Sequence, residues 1–341
     1  MANSISQFEQ RKQDHIRLAM MDDNQATELN QFDQVQLTHQ ALPEINFNDI
    51  SITGQRFGRA VATPFLVSSM TAGHQHGEQI NFNLAAACAQ TGWAMGVGSQ
   101  RRQLTDESAA REWQAIREHF PEVVLFANLG IAQIIEHPAE AILPLIESLQ
   151  AQALIIHCNP LQECIQPEGT PNFANGIAKI VSLCHRLAVP VIIKETGCGF
   201  SEKTLQQLMN KGIAAVDVSG SGGTHWGRIE GHRSSHLPSN QQAALTFRNW
   251  GISTVQSLYH AKRLSPDFEI WASGGIRHGL DAAKAIALGG KTVGLAKPML
   301  EVALQSVEAV VERMTQFEFE LKVAMFCTGS KTLDELQGAL N

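Results

Sequence analysis

The densest run of reactive side chains is His157-Cys158-Asn159-Pro160-Leu161-Gln162-Glu163. An imidazole, two carboxamides and a carboxylate follow one another within two turns' worth of chain. Such a set can hold a polar ligand, a divalent metal, or both. A polar loop with a helix cap uses the same residue types. What surrounds the run bears on the choice. The β-branched apolar stretch Ala153-Leu154-Ile155-Ile156 reads as a buried strand leading into it. Pro167-Glu168-Gly169-Thr170-Pro171 reads as the loop beyond. The carboxyl end of a parallel strand is where α/β folds build their sites.

Stepping outward from that run, the chain alternates from Pro64 onward. Strand candidates are Pro64–Met70, Trp93–Gly98, Val123–Leu129, Ala153–Cys158, Val191–Glu195, Ala214–Val218, Glu269–Ala272 and Thr292–Leu295. Helical patterns lie between them over Gly77–Thr91, Asp106–His119, Ala139–Leu149, Phe173–Leu187, Ser201–Lys211, Gln241–Arg263 and His278–Leu288, with a final helix after Pro298. Eight strands alternating with helices predict a single α/β domain, a closed (β/α)8 TIM barrel. An open doubly wound sheet would normally begin with a glycine-rich GxGxxG turn, and none opens this chain. Residues 1–50 are expected to form an N-terminal extension and 51–341 the barrel. In the extension, Arg11-Lys12-Gln13-Asp14-His15 opens a predicted helix through Met21, and Asn46–Thr53 is expected to be a short strand. Basic residues at a helix start oppose the helix dipole, so Arg11 and Lys12 read either as a solvated face or as a grip for an anion.

Composition narrows the partners. With 44% hydrophobic and 17% charged residues, the chain can bury a large core. A net charge of −7 argues against a general nucleic-acid or anionic-membrane binder, though not against a local basic pocket. Six cysteines form no CxxC pair and no zinc spacing. The polar stretch Met1–Gln10 lacks the apolar core of a signal peptide, and no apolar run is long enough to span a bilayer. Reduced thiols in a cytoplasmic protein are therefore expected.

The strand ends describe one pocket. They carry Ser68-Ser69-Met70-Thr71, Gly98-Ser99-Gln100-Arg101-Arg102, Asn128-Leu129-Gly130, the opening run, Lys194-Glu195-Thr196-Gly197, Ser219-Gly220-Ser221-Gly222-Gly223-Thr224, Ser273-Gly274-Gly275-Ile276-Arg277 and Ala296-Lys297-Pro298. Loops after the seventh and eighth strands of such barrels often bind phosphate through backbone N–H groups. Gly274-Gly275 lets that backbone come close. Lys194 follows apolar Val191-Ile192-Ile193, which favours an inward-pointing cation beside an electron-rich ring over a lysine reaching solvent. A flavin mononucleotide fits this pattern, with phosphate at the last two strands and the ring over the barrel mouth.

These motifs resemble the type 2, FMN-dependent isopentenyl-diphosphate Δ-isomerases. The likeness rests on Arg11-Lys12 with His15, Met70-Thr71-Ala72-Gly73, Gly98-Ser99-Gln100-Arg101, Asn128-Leu129-Gly130, the His157–Glu163 run, Lys194-Glu195, Asp217-Val218-Ser219-Gly220 with Gly222-Gly223-Thr224, Trp250-Gly251, and Ser273-Gly274-Gly275-Ile276-Arg277. Two departures touch loop details: Ala72 where the family usually has glycine, and His225-Trp226-Gly227-Arg228 after the Gly-Gly-Thr.

The resemblance implies a role for each matched position. FMN contacts would come from Ser69, Met70, Thr71, Ser99, Asn128, Lys194, Ser219, Thr224, Gly274, Gly275, Arg277, Ala296 and Lys297. The substrate diphosphate would be gripped by Arg11, Lys12, Ser99, Gln100 and Arg101. His157 and Asn159 would stand nearby as catalytic-site residues, Glu163 would hold Mg²⁺, and Gln162 would sit beside the reacting carbons. The implied activity is the interconversion of isopentenyl and dimethylallyl diphosphate in isoprenoid biosynthesis, by proton addition and elimination, with NADPH serving only to reduce the flavin. Because Arg11 and Lys12 must reach the barrel mouth, across a subunit boundary if need be, a homo-oligomer, tetramer or octamer, is expected as well. Two other readings stay open: an FMN-barrel oxidoreductase of the 2-hydroxyacid oxidase or inosinate-dehydrogenase kind, and a non-catalytic flavin-binding barrel. The dehydrogenase would want a cysteine between Ser219 and Thr224, and there is none. The segment from Gly220 to Pro238 is expected to be a mobile loop, with His225, His232 and His236 solvating it.

Overall fold

The computed structural model describes residues 7–71 and 75–341. Residues 1–6 and 72–74, with the Ala72 departure and Gly73, lie outside the described residues. Two short strands, β1 (Gly54–Arg56) and β2 (Arg59–Val61), form an antiparallel hairpin. The next eight are β3 (Phe65–Val67), β4 (Ala94–Gly96), β5 (Leu125–Gly130), β6 (Ala153–Cys158), β7 (Val191–Glu195), β8 (Ala215–Asp217), β9 (Glu269–Ala272) and β10 (Thr292–Leu295). They close into one parallel barrel in chain order, β10 pairing with β3 through Val293↔Phe65. Every predicted barrel strand is present. Each reads as a continuous apolar run because both of its faces are buried. Leu66, Ala94, Phe126, Ile155, Ile192 and Trp271 fill the interior, while Phe65, Val67, Met95 and Ile193 pack outward on the helices.

The hairpin caps one end of the barrel. Phe57 and Gly58 turn it with φ of 51° and 72°, the left-handed pair that a tight hairpin favours. Phe57 packs on Trp271, with ring centres 5.5 Å apart, and the Arg56 guanidinium lies over the rings of Phe126 and Trp271. Burial lowers Arg56 to about 10, so it stays charged at neutral pH. The expected strand over Asn46–Thr53 does not form. That stretch holds a single 3₁₀ turn, Phe47–Asp49, and the pairing begins only at Gly54.

Two helical expectations and one loop expectation also change. The pattern over Gln241–Arg263 breaks into Pro238–Thr246 and Thr254–Leu264. Gly251 between them has a φ of 137°, and the Ser253 hydroxyl caps the second helix by accepting from the Gln256 N–H. The segment expected to be a mobile loop instead holds the helix Trp226–Arg233. His225 is its buried N-cap, accepting from the Arg228 N–H and bonded to the Trp250 carbonyl. The N-terminal helix runs over Gln7–Ala19, which puts Arg11 and Lys12 inside it rather than at its start. The dipole argument for those two residues therefore falls away.

The N-terminal segment crosses the mouth of the barrel. Buried Arg228 donates to the carbonyls of Asp23 (3.3 Å) and Gln25 (2.9 Å) and pairs with Glu28. Asn30 Nδ2 donates to the Gly275 carbonyl at 2.6 Å, and Lys284 Nζ to that of Phe32 at 2.8 Å. Among the described residues no helix is long and apolar enough to cross a membrane.

Candidate active site at the barrel mouth

Alternation along the strands aims His157 and Lys194 into the barrel. They are neighbours on adjacent strands, in register. Both line a cavity of about 520 Å³ at the carboxyl ends of the strands, a size typical of small-molecule sites.

Lys194 forms the floor. Its ammonium donates to Asp217 Oδ2 at 2.7 Å and Ser273 Oγ at 2.7 Å, all three residues being buried. The inward reading of Lys194 is therefore what the fold adopts. Asn128 lines the same cavity, its Nδ2 donating to the Val97 carbonyl at 3.1 Å. Asn128 Oδ1 is then the acceptor for His157 Nδ1 at 2.9 Å, which leaves the His157 Nε2 lone pair free to accept. Burial, helped by the charges of Lys12 and Lys194, lowers His157 to about 4. It is a neutral imidazole at physiological pH.

One end of the cavity is built from glycine. Gly274 and Gly275 take φ of 89° and 73°, and Gly222 takes 123°. A Cβ on Gly275 would stand 2.8 Å from the Gly222 carbonyl carbon, and one on Gly223 would stand 2.8 Å from the Gly275 nitrogen. The two loops press together as only glycines can, leaving backbone facing the cavity. On the neighbouring wall, the hydroxyls of Ser68 and Ser69 are buried without a partner among the described residues. Orphaned polar atoms beside a glycine cradle, with a lysine below, fit a phosphate-bearing flavin. Ser69, Met70, Thr71, Ser99, Ser219, Thr224, Ala296 and Lys297 line the same cavity, as do Asn128, Lys194, Gly274, Gly275 and Arg277. Arg277 is not a spare cation there. Asp281 and Asp33 both hydrogen-bond its guanidinium and hold its pKa above the ordinary value.

The other end takes its side chains from four elements. Arg11, Lys12 and His15 come from the N-terminal helix, Ser99 and Arg101 from the turn after β4, and Asn159, Gln162 and Glu163 from the turn and short helix after β6. Asn159 Nδ2 donates to Gln162 Oε1 and Glu163 Oε1, each at 3.0 Å. Glu163 Oε2 accepts from the Thr170 N–H at 2.6 Å. Gln100 departs from its expected place. Its side chain is buried behind the wall, donating to the Leu145 carbonyl (2.9 Å) and accepting from the Asn128 N–H (3.1 Å). It does not line the cavity; it ties the turn to the strand carrying Asn128.

Sequence reasoning missed Glu230. It lies fully buried on the helix Trp226–Arg233. Its Oε1 accepts from Gln162 Nε2 at 3.0 Å and from His15 Nε2 at 2.8 Å, and its Oε2 pairs with Arg233. Arg233 in turn bonds Glu168 at 2.7 Å, and Glu168 lies 3.6 Å from Arg11. Burial pushes the Glu230 pKa up, but the His15, Arg233 and Gln162 contacts outweigh it and hold the group ionised. Burial keeps His15 below its ordinary value. An ionised carboxylate only accepts, so His15 carries its proton on Nε2. Trp226 packs edge-on against the His15 ring at 5.1 Å. No sequence motif marked Glu230, because its partners come from distant parts of the chain. Among the described residues no three His, Cys, Asp or Glu side chains cluster as a metal site, so Glu163 would hold a metal only together with a bound ligand.

Comparison with known proteins is consistent with this geometry. The family described as FMN-dependent dehydrogenase matches residues 7–141 and 157–341. Among solved structures, a lactate oxidase from Pediococcus acidilactici shares the fold at TM-score 0.68 and 17% identity, covering 99% of this chain and 94% of that one. A flavocytochrome b2 mutant with sulfite bound has TM-score 0.68 at 18% identity, covering 97% and 82%. Two curated relatives are far nearer in sequence. An isopentenyl-diphosphate delta-isomerase of Bdellovibrio bacteriovorus is 50% identical, covering 99% of this chain and 98% of its own. Another from Legionella pneumophila (strain Lens) is 60% identical over 337 residues, again 99% and 98% of the two chains. With likeness of that degree running end to end, the chain belongs to the FMN-dependent, type 2 isopentenyl-diphosphate delta-isomerase family.

Proposed function

We infer that this chain interconverts isopentenyl and dimethylallyl diphosphate by moving a proton between two carbons. The observation that carries the reading is the joining of two unlike ends in one cavity: a glycine cradle over Lys194, and a basic end set by Arg11, Lys12 and Arg101. The first suits FMN and the second a diphosphate. Residues 1–50 act as the extension that brings Arg11 and Lys12 to the barrel formed by 51–341. Glu163 binds Mg²⁺ with the diphosphate. Magnesium commonly takes one or two protein carboxylates and completes its shell with phosphate oxygens and water. Both Glu163 oxygens accept from N–H groups, and each keeps a second lone pair for a cation.

FMN bound in its reduced form would supply acid–base chemistry at the reacting carbons, and NADPH would reduce it. Gln162 orients the substrate: Asn159 holds its oxygen and Glu230 its nitrogen, so the amide cannot rotate freely. His157, neutral and locked by Asn128, offers Nε2 as an acceptor toward the cavity and is not a proton donor at neutral pH. The reading includes a cytoplasmic homo-oligomer, tetramer or octamer.

An anaerobic assay with isopentenyl diphosphate, FMN, NADPH and Mg²⁺ tests the function. Dimethylallyl diphosphate should form only with both reductant and metal. Glu163→Gln should lower the rate at least tenfold and weaken the Mg²⁺ response. Tight FMN binding without product would leave the flavin site standing and remove the substrate.

Lys12 adds a pH test. Burial, then the charge of Arg11, lowers its ammonium pKa to about 8. The free site therefore loses a cation as pH rises through 8. The wild-type kcat/KM for the diphosphate should fall above that pH, because this ratio reports the free enzyme. Lys12→Arg stays charged and should keep the profile flat to about pH 9.5. Matching declines in both proteins would remove Lys12 as the cause.

A further inference from the structure

The strands β6 and β7 build a second cavity on their outward face. His157 and Lys194 point into the barrel, so the next residue on each strand, Cys158 and Glu195, points away from it. Those two residues border a separate cavity of about 590 Å³ between the strands and the helix layer. Its wall is apolar, with Phe173, Ile177, Ile180, Phe200, Trp250 and Ile252 among the lining side chains. Among the described residues no lysine, arginine, histidine or aspartate lines it, and Glu195 is the only carboxyl group.

Glu195 is 5% exposed and bonded in a lopsided way. Its Oε2 accepts four successive backbone N–H groups, from Thr196 (2.8 Å), Gly197 (2.8 Å), Cys198 and Gly199 (3.1 Å). Its Oε1 accepts none among the described residues. A carboxyl oxygen of a buried residue that opens onto an apolar cavity, with no partner among the described residues, is a group awaiting a ligand atom. Burial raises Glu195 to about 7 despite the four N–H contacts, so both protonation states are populated near neutrality. A hydroxyl suits both: it donates to the carboxylate and accepts from the carboxylic acid. An ammonium would suit only the first, and an anion only the second. The thiols do not compete, since burial followed by the Glu195 charge pushes Cys158 up to about 12 and Cys198 higher still.

We propose that this cavity is a second small-molecule site, taking a neutral aliphatic alcohol whose hydroxyl bonds Glu195 Oε1 and whose chain fills the apolar space. The site is independent of the proposed activity. It does share one turn with the barrel mouth: Thr196 and Gly197 border the first cavity, Cys198 and Gly199 the second, and one carboxylate oxygen holds all four.

The test is calorimetry on FMN-loaded protein with Mg²⁺ and inorganic pyrophosphate present, so that the barrel mouth is filled. 1-Octanol should bind at one site per chain. Its isomer 1-methoxyheptane, of the same formula without a donor, should bind at least tenfold more weakly. Ile177→Trp and Thr204→Phe fill the cavity from two different helices, and each should abolish octanol uptake while thermal melting confirms folding. Absence of saturable uptake, equal affinity for alcohol and ether, or uptake unchanged in both variants would overturn the site. So would octanol that pyrophosphate displaces, which would place it in the barrel mouth. A loss of oligomer mass in Ile177→Trp with no octanol binding to the parent would assign the cavity to a second copy of the chain and overturn the proposal.

Discussion

Glu230→Ala should lower kcat by about a hundredfold and destabilise the fold by about 3–5 kcal/mol. Both effects follow from one fully buried carboxylate. Its removal takes the acceptor from Gln162 Nε2 and His15 Nε2 together, and leaves Arg233 with Glu168 as its remaining partner. The stability loss comes from taking the buried acceptor away from His15 and Gln162 and leaving Arg233 with one carboxylate in place of two. The loss of turnover comes from Gln162. Its oxygen stays tied to Asn159, but its nitrogen keeps only the long 3.4 Å contact to Gln166 Oε1, too weak to hold the amide to one face of the substrate. Steady-state rates at saturating substrate and urea titration separate the two losses. Glu230→Gln keeps the volume and one acceptor, and should recover part of the stability but little of the rate. A Glu230→Ala protein whose kcat stays within threefold of the parent would show that Gln162 needs no such support.

Lys194→Met should weaken FMN binding at least tenfold and destabilise the protein by about 3–5 kcal/mol. The ammonium and Asp217 lie 2.7 Å apart, and each is nearly inaccessible to water. Removing the cation leaves Asp217 with Ser273 alone and an uncompensated charge in the barrel interior. The double change Lys194→Met with Asp217→Asn removes both charges. It should regain most of the stability, because replacing both partners of a buried pair is often nearly neutral. It should not regain the flavin, if Lys194 touches it. Thermal melts of the apoprotein and flavin fluorescence quenching give the two readings. A double variant that binds FMN as well as the parent would make Lys194 a structural lysine only.

The strands were readable in the sequence because a barrel strand is apolar on both faces, and Ala153–Ile156 or Val191–Ile193 admits no other comfortable place. The glycine cradle was readable for a similar local reason, since Gly274-Gly275 serves a backbone conformation that other residues resist. Orientation was less legible. Gln100 sits between two cavity-lining residues, Ser99 and Arg101, yet turns inward to serve Asn128 and Leu145. Residue type and neighbours cannot distinguish those directions; packing decides. Glu230 was hidden by distance, lying 215 positions from His15 and 68 from Gln162. The roles given to Gln162 and Glu163 came from family likeness. Their residue types alone left a capped polar loop equally open, and the fold adds that both border the cavity. The break at Gly251 was missed because helical periodicity on either side masks one glycine with φ of 137°.

The pairing of Val293 with Phe65 has a consequence for how the molecule is made. During synthesis β3 emerges early, and the strand that completes its ladder emerges only near the end of the chain. Until then a parallel apolar edge stands open to other chains. Pairing so remote in sequence also folds slowly, because the closure entropy is lost before the contacts form. The N-terminal helix waits in the same way for Glu230, and the segment after it for Arg228. The mouth of the barrel is thus among the last parts to be assembled, and a chain halted before β10 carries most of the site's residues and none of its shape. Yield of active protein in cells should therefore track translation speed and chaperone supply more closely than equilibrium stability.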